Sequence, residues 1–310
     1  VTRWLGIDIG GQSLKALLVD DDGFSSRHAT RPTGPSASVR DLAASISEVR
    51  AELGYETGRP IGVGVAGCVT LDGVVRGSPN LPALAGSAIE CDLGGALGAR
   101  VLADNDAHCH ALAEAWVGAA IRVPTFLLVT LGSGIGSGLV IGGRVHRGAT
   151  GYGCELGHSV FRPGGRRCGC GNRGCLEAYV SEVALGTRIP EEAPELGRRV
   201  EALTSEQRRG RAHALFELAA GGDAEADALA DTLADELGIA FGSAVNVFDV
   251  ELIVVGGGIA PGILARLPRL RRAMAGALFA RDESAVAIVP ASAGTLAGAL
   301  GAARLAMTGV

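Results

Sequence analysis

Three thiols and an imidazole crowd into one short, glycine-rich stretch of this chain. It reads Glu155-Leu-Gly-His158, then Cys168-Gly-Cys170-Gly-Asn-Arg-Gly-Cys175-Leu-Glu177. Gly169, Gly171 and Gly174 let the backbone wrap tightly enough for the thiols to converge. Cys168, Cys170, Cys175 and His158 make up a four-ligand tetrahedral Zn²⁺ set with no open position for a reacting water, so a structural ion is expected. The alternatives are three reduced cysteines in a loop, or a disulfide that leaves one thiol over. Glu155 and Glu177 flank this knot, and a rigid metal loop would hold them as rigidly as its own ligands. Taken alone, two such carboxylates are more often solvated surface than site.

A second group is Asp104-Asn105-Asp106, between the apolar Val101-Leu-Ala103 and a helical run, Ala107 to Val117. Asp and Asn cap helices well, which is its bland reading. Its functional reading has one Asp take a proton from a substrate hydroxyl while Asn105 orients that substrate. His108 and His110 follow, but residues two apart on a helix do not share a face, so no second metal site is expected there. Three glycine-rich turns follow apolar strands: Asp8-Ile-Gly10-Gly11-Gln12, Leu131-Gly132-Ser133-Gly134, and Gly256-Gly257-Gly258. Glycine lets backbone N–H groups approach an anion closely, and phosphate is the usual guest. Asp8, beside the first turn, could hold hydrated Mg²⁺ against phosphates, or could be a solvated strand end.

The elements that must position these residues repeat a pattern. Strands are expected at Trp4–Ile9 and Leu14–Val19 around a Gly-Gly bend, followed by a helix over Val39–Leu53 and a buried strand over Ile61–Ala66. Near the middle, strands at Phe126–Leu131 and Ile135–Ile141 flank a second glycine bend. That repetition reads as an internal duplication, or alternatively as two unrelated hairpins. Later come a helix from Ala224 to about Val247, a strand at Leu252–Val255, a strand at Ala285–Val289 and a small-residue helix from about Thr295 to Met307. The region Thr187–Glu206 is charged and helical in character. Strands alternating with helices imply an α/β architecture.

Composition excludes several classes. A chain of 310 residues holds two domains of ordinary size. A net charge of −5 with 47% hydrophobic residues offers no basic field for nucleic acid or an anionic membrane. No run approaches a membrane span, the start at Val1 lacks the pattern of a signal peptide, and seven cysteines with three clustered suit a reducing cytoplasm. Lys15 is the only lysine, so a Walker-type phosphate loop is absent and Schiff-base chemistry would have to use that residue.

In this order, the Asp8-Ile-Gly-Gly turn, Ser78-Pro-Asn80-Leu, Asp104-Asn-Asp-Ala, Thr130-Leu-Gly-Ser-Gly-Ile-Gly136, Glu155-Leu-Gly-His158, the cysteine block and Val255-Gly-Gly-Gly258 resemble the ROK family of sugar kinases and repressors. The resemblance covers nearly the whole chain. It implies an actin-like ATPase (ribonuclease H-like) fold of two domains with a central ligand cleft. Residues 1–117 would form a small domain on which the helix 295–310 packs back, and 118–294 a larger one carrying the zinc. It implies ATP-dependent phosphorylation of a hexose at the 6-hydroxyl, with glucose first and N-acetylglucosamine, N-acetylmannosamine, fructose or allose as alternatives. Asp106 would be the general base. Asn80, Asn105, Asp106, Glu155, His158 and Glu177 would bind the sugar, His158 serving the zinc too. Asp8, Gly10, Gly11, Gln12, Gly132, Ser133 and Gly134 would flank the phosphates with Mg²⁺, and Gly256, Gly257 and Gly258 would lie near the adenosine. A cytoplasmic homo-oligomer, dimer or tetramer, is expected. Four positions depart from the family's pattern: Gln12 for Thr, Ala66 for Pro, Cys154 for Gly and Thr295 for Asp. A catalytically dead sugar sensor is the reading those departures leave open. A DNA-binding repressor is not expected, because the first strand begins within five residues of Val1.

Overall fold

The computed structural model describes residues 2–207 and 210–309. Period-two burial builds the first sheet. Leu5, Ile7 and Ile9 of β1 (Arg3–Ile9) are fully buried on one face, and Gly6 and Asp8 point to the other. The chain continues through β2 (Ser13–Asp20), β3 (Ser25–Pro32), α1 (Val39–Leu53), β4 (Ile61–Val65), a small ribbon of β5 (Cys68–Val69) and β6 (Val75–Gly77), α2 (Ile89–Leu97), β7 (Val101–Asn105) and α3 (Asp106–Val117). The sheet order is β3-β2-β1-β4-β7, with the first three strands antiparallel and β1, β4 and β7 parallel. A capping box starts α1, where the Ser38 backbone donates to Asp41 and the Asp41 amide donates to Ser38 Oγ; a left-handed Gly54 ends it.

Next come β8 (Phe126–Leu131), β9 (Ile135–Ile141), β10 (Arg144–Val145), α4 (Glu177–Val180), α5 (Glu182–Glu192), α6 (Pro194–Gln207), α7 (Arg211–Ala220), α8 (Ala224–Phe248), β11 (Leu252–Gly256), α9 (Ala260–Leu264), α10 (Leu267–Ala277), β12 (Ala287–Pro290) and α11 (Ala297–Thr308). Their sheet runs β10-β9-β8-β11-β12, which is the order of the first sheet repeated strand for strand. The two hairpins are therefore copies of one plan, and the duplication read from the glycine bends is present in the topology.

Two compact units divide the chain. One comprises the residues up to Leu128, Gly138–Cys154 and those from Ala291 onward; the other comprises Val129–Ser137 and Glu155–Pro290, so the division runs through β8 and β9. In the first unit, α1 and α2 cover the face of Leu5, Ile7, Ile9 and Val63. The opposite face meets α11, whose Ala299, Leu300 and Ala303 are buried with Leu17 and Val19. That contact is close: a Cβ on Gly62 would overlap the carbonyl of Ala302.

Some boundaries differ from the sequence expectation. β3 was not expected, because only Ala29 is a buried apolar residue in an otherwise polar edge strand. The stretch Thr187–Glu206 is two helices, broken at Ala193 with Pro194 opening α6, a position where the missing N–H does no harm. β12 starts two residues late because Glu283–Ala285 forms a 3-10 turn capped by Asp282. Among the described residues, no helix is long and apolar enough to cross a membrane.

Candidate functional site

The cysteine loop folds on itself before any ion is considered. Bridges pair Val160 with Cys175 and Arg167 with Arg173, and the Cys168 amide donates to the Asn172 carbonyl at 2.9 Å. Gly174, at φ 84°, passes so close to the Arg162 carbonyl that a side chain there would collide. One atom each from His158, Cys168, Cys170 and Cys175 then lies within 4.8 Å of the others. Cys170 and Cys175 sulfurs are 3.7 Å apart, and Cys168 Sγ is 3.7 Å from His158 Nδ1. A tetrahedral Zn–S length of about 2.3 Å sets an S···S edge of about 3.8 Å, so the donor set fits a zinc ion. Burial pushes the Cys168 thiol up to about 12, so a metal held here must displace that proton.

Glu177 ties this loop to the second glycine turn. Its Oε2 accepts from the Ile135 amide at 2.8 Å, and its Oε1 lies 3.7 Å from Cys168 Sγ. A Cβ on Gly134 would overlap that carboxylate. The turn is held further by the Glu182 amide on the Gly132 carbonyl at 2.9 Å and the Val183 amide on Ser133 at 3.4 Å. Gly257, at φ 89°, closes on the end of β8, where the Ile259 amide donates to the Leu131 carbonyl at 3.1 Å. The Glu155–His158 segment packs on the start of β9, its Leu156 amide bonded to Ser137 Oγ at 3.0 Å. Ser137, which the sequence reading did not single out, is thus the anchor of the Glu155 turn. Gly132 and Gly258 differ from their neighbours: open space surrounds the place where a Cβ would go, and neither has a left-handed φ. Nothing in the protein's own packing requires glycine at either position.

The first unit gathers the other candidates at the carboxyl ends of β1, β4 and β7, where parallel sheets commonly bind ligands. Asp8 pairs in register with Gly64, and Gly64 with Asp104. Burial raises the pKa of Asp8, opposed by His110 and Lys15. Lys15 Nζ reaches the Thr295 carbonyl at 3.5 Å, and Gly298 leaves room for both Asp8 and His110 beside α11. In the first turn the Gly10 amide bonds the Ser13 carbonyl at 3.0 Å, and the Thr33 amide bonds the Gln12 carbonyl at 3.0 Å. Gly11 lies against Asn80, so these two expected site residues are neighbours. Ala66, where the family pattern has Pro, uses its N–H to bond the Ile9 carbonyl at 3.0 Å, a bond proline cannot make.

Asp104, Asn105 and Asp106 divide the work differently from a simple cap cluster. Asn105 is the cap: its Oδ1 accepts from Ala107 and His108 amides at 2.8 and 3.2 Å, and its Nδ2 donates to the Gly67 carbonyl at 3.0 Å. Asp104 is no cap. It is 3% exposed and holds Arg147 Nε at 2.7 Å and His108 Nδ1 at 2.8 Å. Asp106 opens α3, half-buried, with Oδ1 accepting from the Ala107 amide at 2.9 Å. His108 and His110 turn to different partners, and among the described residues only the cysteine loop gathers a metal-binding set.

A profile described as the ROK family matches residues 4–308. A glucokinase of Thermotoga maritima is 32% identical, covering 83% of this chain and 82% of its own length. An N-acetyl-D-glucosamine kinase of Pasteurella multocida is 30% identical, over 82% of this chain and 83% of its own. A ROK family glucokinase from Streptomyces griseus, solved in complex with glucose and AMPPNP, superposes with a TM-score of 0.83 at 28% identity, over 99% of this chain and 100% of its own. The repeated α/β sheets are those of the actin-like ATPase fold.

Proposed function

We propose that this chain, which belongs to the ROK family, is an ATP-dependent hexokinase that transfers the γ-phosphoryl group of ATP to the 6-hydroxyl of glucose. The observation that carries this reading is Asp106, a half-buried carboxylate on the first turn of α3 at the carboxyl end of a parallel strand, among relatives that are glucokinases. Asp106 takes the hydroxyl proton as the oxygen attacks phosphorus. Asn105, with one N–H beyond its cap and Gly67 bonds, and Asn80, Glu155, His158 and Glu177 orient the sugar.

Phosphoryl transfer needs positioning and charge stabilisation more than covalent chemistry. Gly10, Gly11 and Gln12 and the Gly132-Ser133-Gly134 turn approach the phosphates, and Gly256, Gly257 and Gly258 the adenosine. The open space beside Gly132 and Gly258 supports this, since close approach of a ligand gives glycine a reason that packing does not. Mg²⁺, accompanying ATP and held through water by Asp8, would neutralise phosphate charge. The His158, Cys168, Cys170 and Cys175 set would hold a structural Zn²⁺ that stiffens the loop.

A second reading, favoured by the Pasteurella relative, is the same transfer to N-acetylglucosamine. Measuring kcat/KM with glucose, N-acetylglucosamine, N-acetylmannosamine, fructose and allose separates the two. Glucose is expected to rank first; a higher value for another sugar reassigns the substrate, and no turnover with any of them removes the kinase reading.

A further inference from the structure

Two residues beyond Asp106, His108 is 2% exposed and has a partner on each ring nitrogen. Nδ1 is 2.8 Å from Asp104 Oδ1, and Nε2 is 3.1 Å from the Gly153 carbonyl oxygen. A backbone carbonyl can only accept, so Nε2 carries a proton. Asp104 also acts only as an acceptor here: Oδ2 takes Arg147 Nε at 2.7 Å and Oδ1 takes the Asn105 amide at 2.8 Å. Nδ1 therefore carries a proton as well, and the ring is an imidazolium. Burial works against that charge, but the hydrogen bond and charge of Asp104, then the Gly153 carbonyl, outweigh it, and the pKa lies above the ordinary histidine value. Asp104 is correspondingly held below the usual carboxylate value despite its burial, by His108 and Arg147.

Both ends of one loop are caught by this cluster. Arg147 contributes its side chain, and its carbonyl accepts from the Gly151 and Gly153 amides at 3.1 and 2.9 Å. Gly153 contributes its own carbonyl to His108. The chain then turns at Cys154, left-handed at φ 65°, and the next residue is Glu155. The charged groups facing His108 are Asp104 from β7 and Arg147 from the loop; Asp106 and His110 flank it along α3, and the neighbouring Cys109 thiol is held protonated by burial.

We propose that His108, with Asp104 and Arg147, is a charged latch that fixes the Arg147–Gly153 loop, the chain that leads into Glu155, to the helix of Asp106. This rests on the sugar-kinase reading. His108, Asp104 and Arg147 are positioning residues: each acts through the loop, and none touches the reacting atoms.

The test uses the whole protein with His108→Gln and the smaller His108→Asn. Neither amide can donate to both acceptors from two separate nitrogens, and neither carries the charge. Amide exchange at Gly151 and Gly153 is expected to speed by about tenfold or more, the loss of a charge-assisted hydrogen bond. The sugar KM is expected to rise by about tenfold or more, while kcat and the ATP KM stay within about threefold. In the wild type the sugar KM should climb as pH rises through the pKa of His108, and in both variants that climb should vanish. Unchanged exchange, or a fall in kcat with both KM values untouched, overturns the latch. Should the wild type phosphorylate no sugar, the expected KM changes fall with that reading. The latch itself is then decided by exchange and by the ¹⁵N shifts of His108 at pH 7: two protonated nitrogens support it and a neutral tautomer overturns it.

Discussion

Asp104 and Asp106 stand two positions apart at one strand-to-helix junction, and their surroundings give them opposite duties. Asp104 is buried and saturated by Arg147, His108 and the Asn105 amide; Asp106 keeps a half-exposed carboxylate at a helix start, where the dipole favours an anion. Asp104→Asn is therefore expected to lose about 3 kcal/mol of stability, because two cations lose their partner in a mostly buried place. Its pH dependence has two limits. Asp104 has a folded pKa below 3.8, so its contribution is present above that value and is lost as pH falls through the folded pKa. His108 has a folded pKa above 6.5, so its contribution is full below 6.5 and is lost as pH rises through the folded pKa. Denaturant titrations of wild type and Asp104→Asn should show their largest difference between those limits and a smaller one on either side. From sequence, all three residues of Asp104-Asn105-Asp106 look like caps or bases. The partners His108 and Arg147 separate them, and the Arg147 pairing, 43 positions away, has no local signature.

Among the elements, those with a short period were legible and those defined by a distant partner were not. The bounds of α1, β8 and β9 coincide with the expectation because the apolar period runs within each of them and glycines stand just beyond their ends. β3 was invisible, since a polar edge strand is defined by β2 and not by its own residues. The tight seating of α11 is likewise a fact about Gly62 and Ala302 together. Gly62→Ala should cost about 2–3 kcal/mol by overpacking, since the obstacle is backbone and cannot swing aside. A circular-dichroism melt checks this, and an unchanged Tm would mean that the helix sits further from the sheet. In the cysteine loop, spacing alone indicated convergence, which the 3.7 Å contacts bear out. Protein purified without chelator should hold about one zinc per chain, and Cys175→Ser should lose metal and thermal stability together. Elemental analysis finding no zinc would contradict the assignment.

At the scale of the whole molecule, the repeated strand order explains why one sequence carries two equivalent glycine bends. Each bend joins the first two strands of its sheet, the place where a backbone is free to face a ligand. The ion ladder of Arg266 and Arg269 on Asp227, Asp231 and Asp235, between α8 and α10, and the pair of Arg188 with Glu236 belong to structure alone. They show where arginine goes in a chain with one lysine. In the proposed reading, the candidate site residues sit instead at the carboxyl ends of β1, β4 and β7 and, in the other unit, at the glycine turn that Glu177 holds. The central claim is that Asp106 deprotonates a sugar hydroxyl for attack on ATP. Its most direct test is Asp106→Asn, with kcat for glucose phosphorylation and the calorimetric glucose Kd measured on the same preparation. The amide keeps the shape and most hydrogen bonds but cannot take the proton, so kcat should fall by about 10²–10⁴ with the Kd close to that of the wild type. A variant that turns over at the wild-type rate would contradict the account.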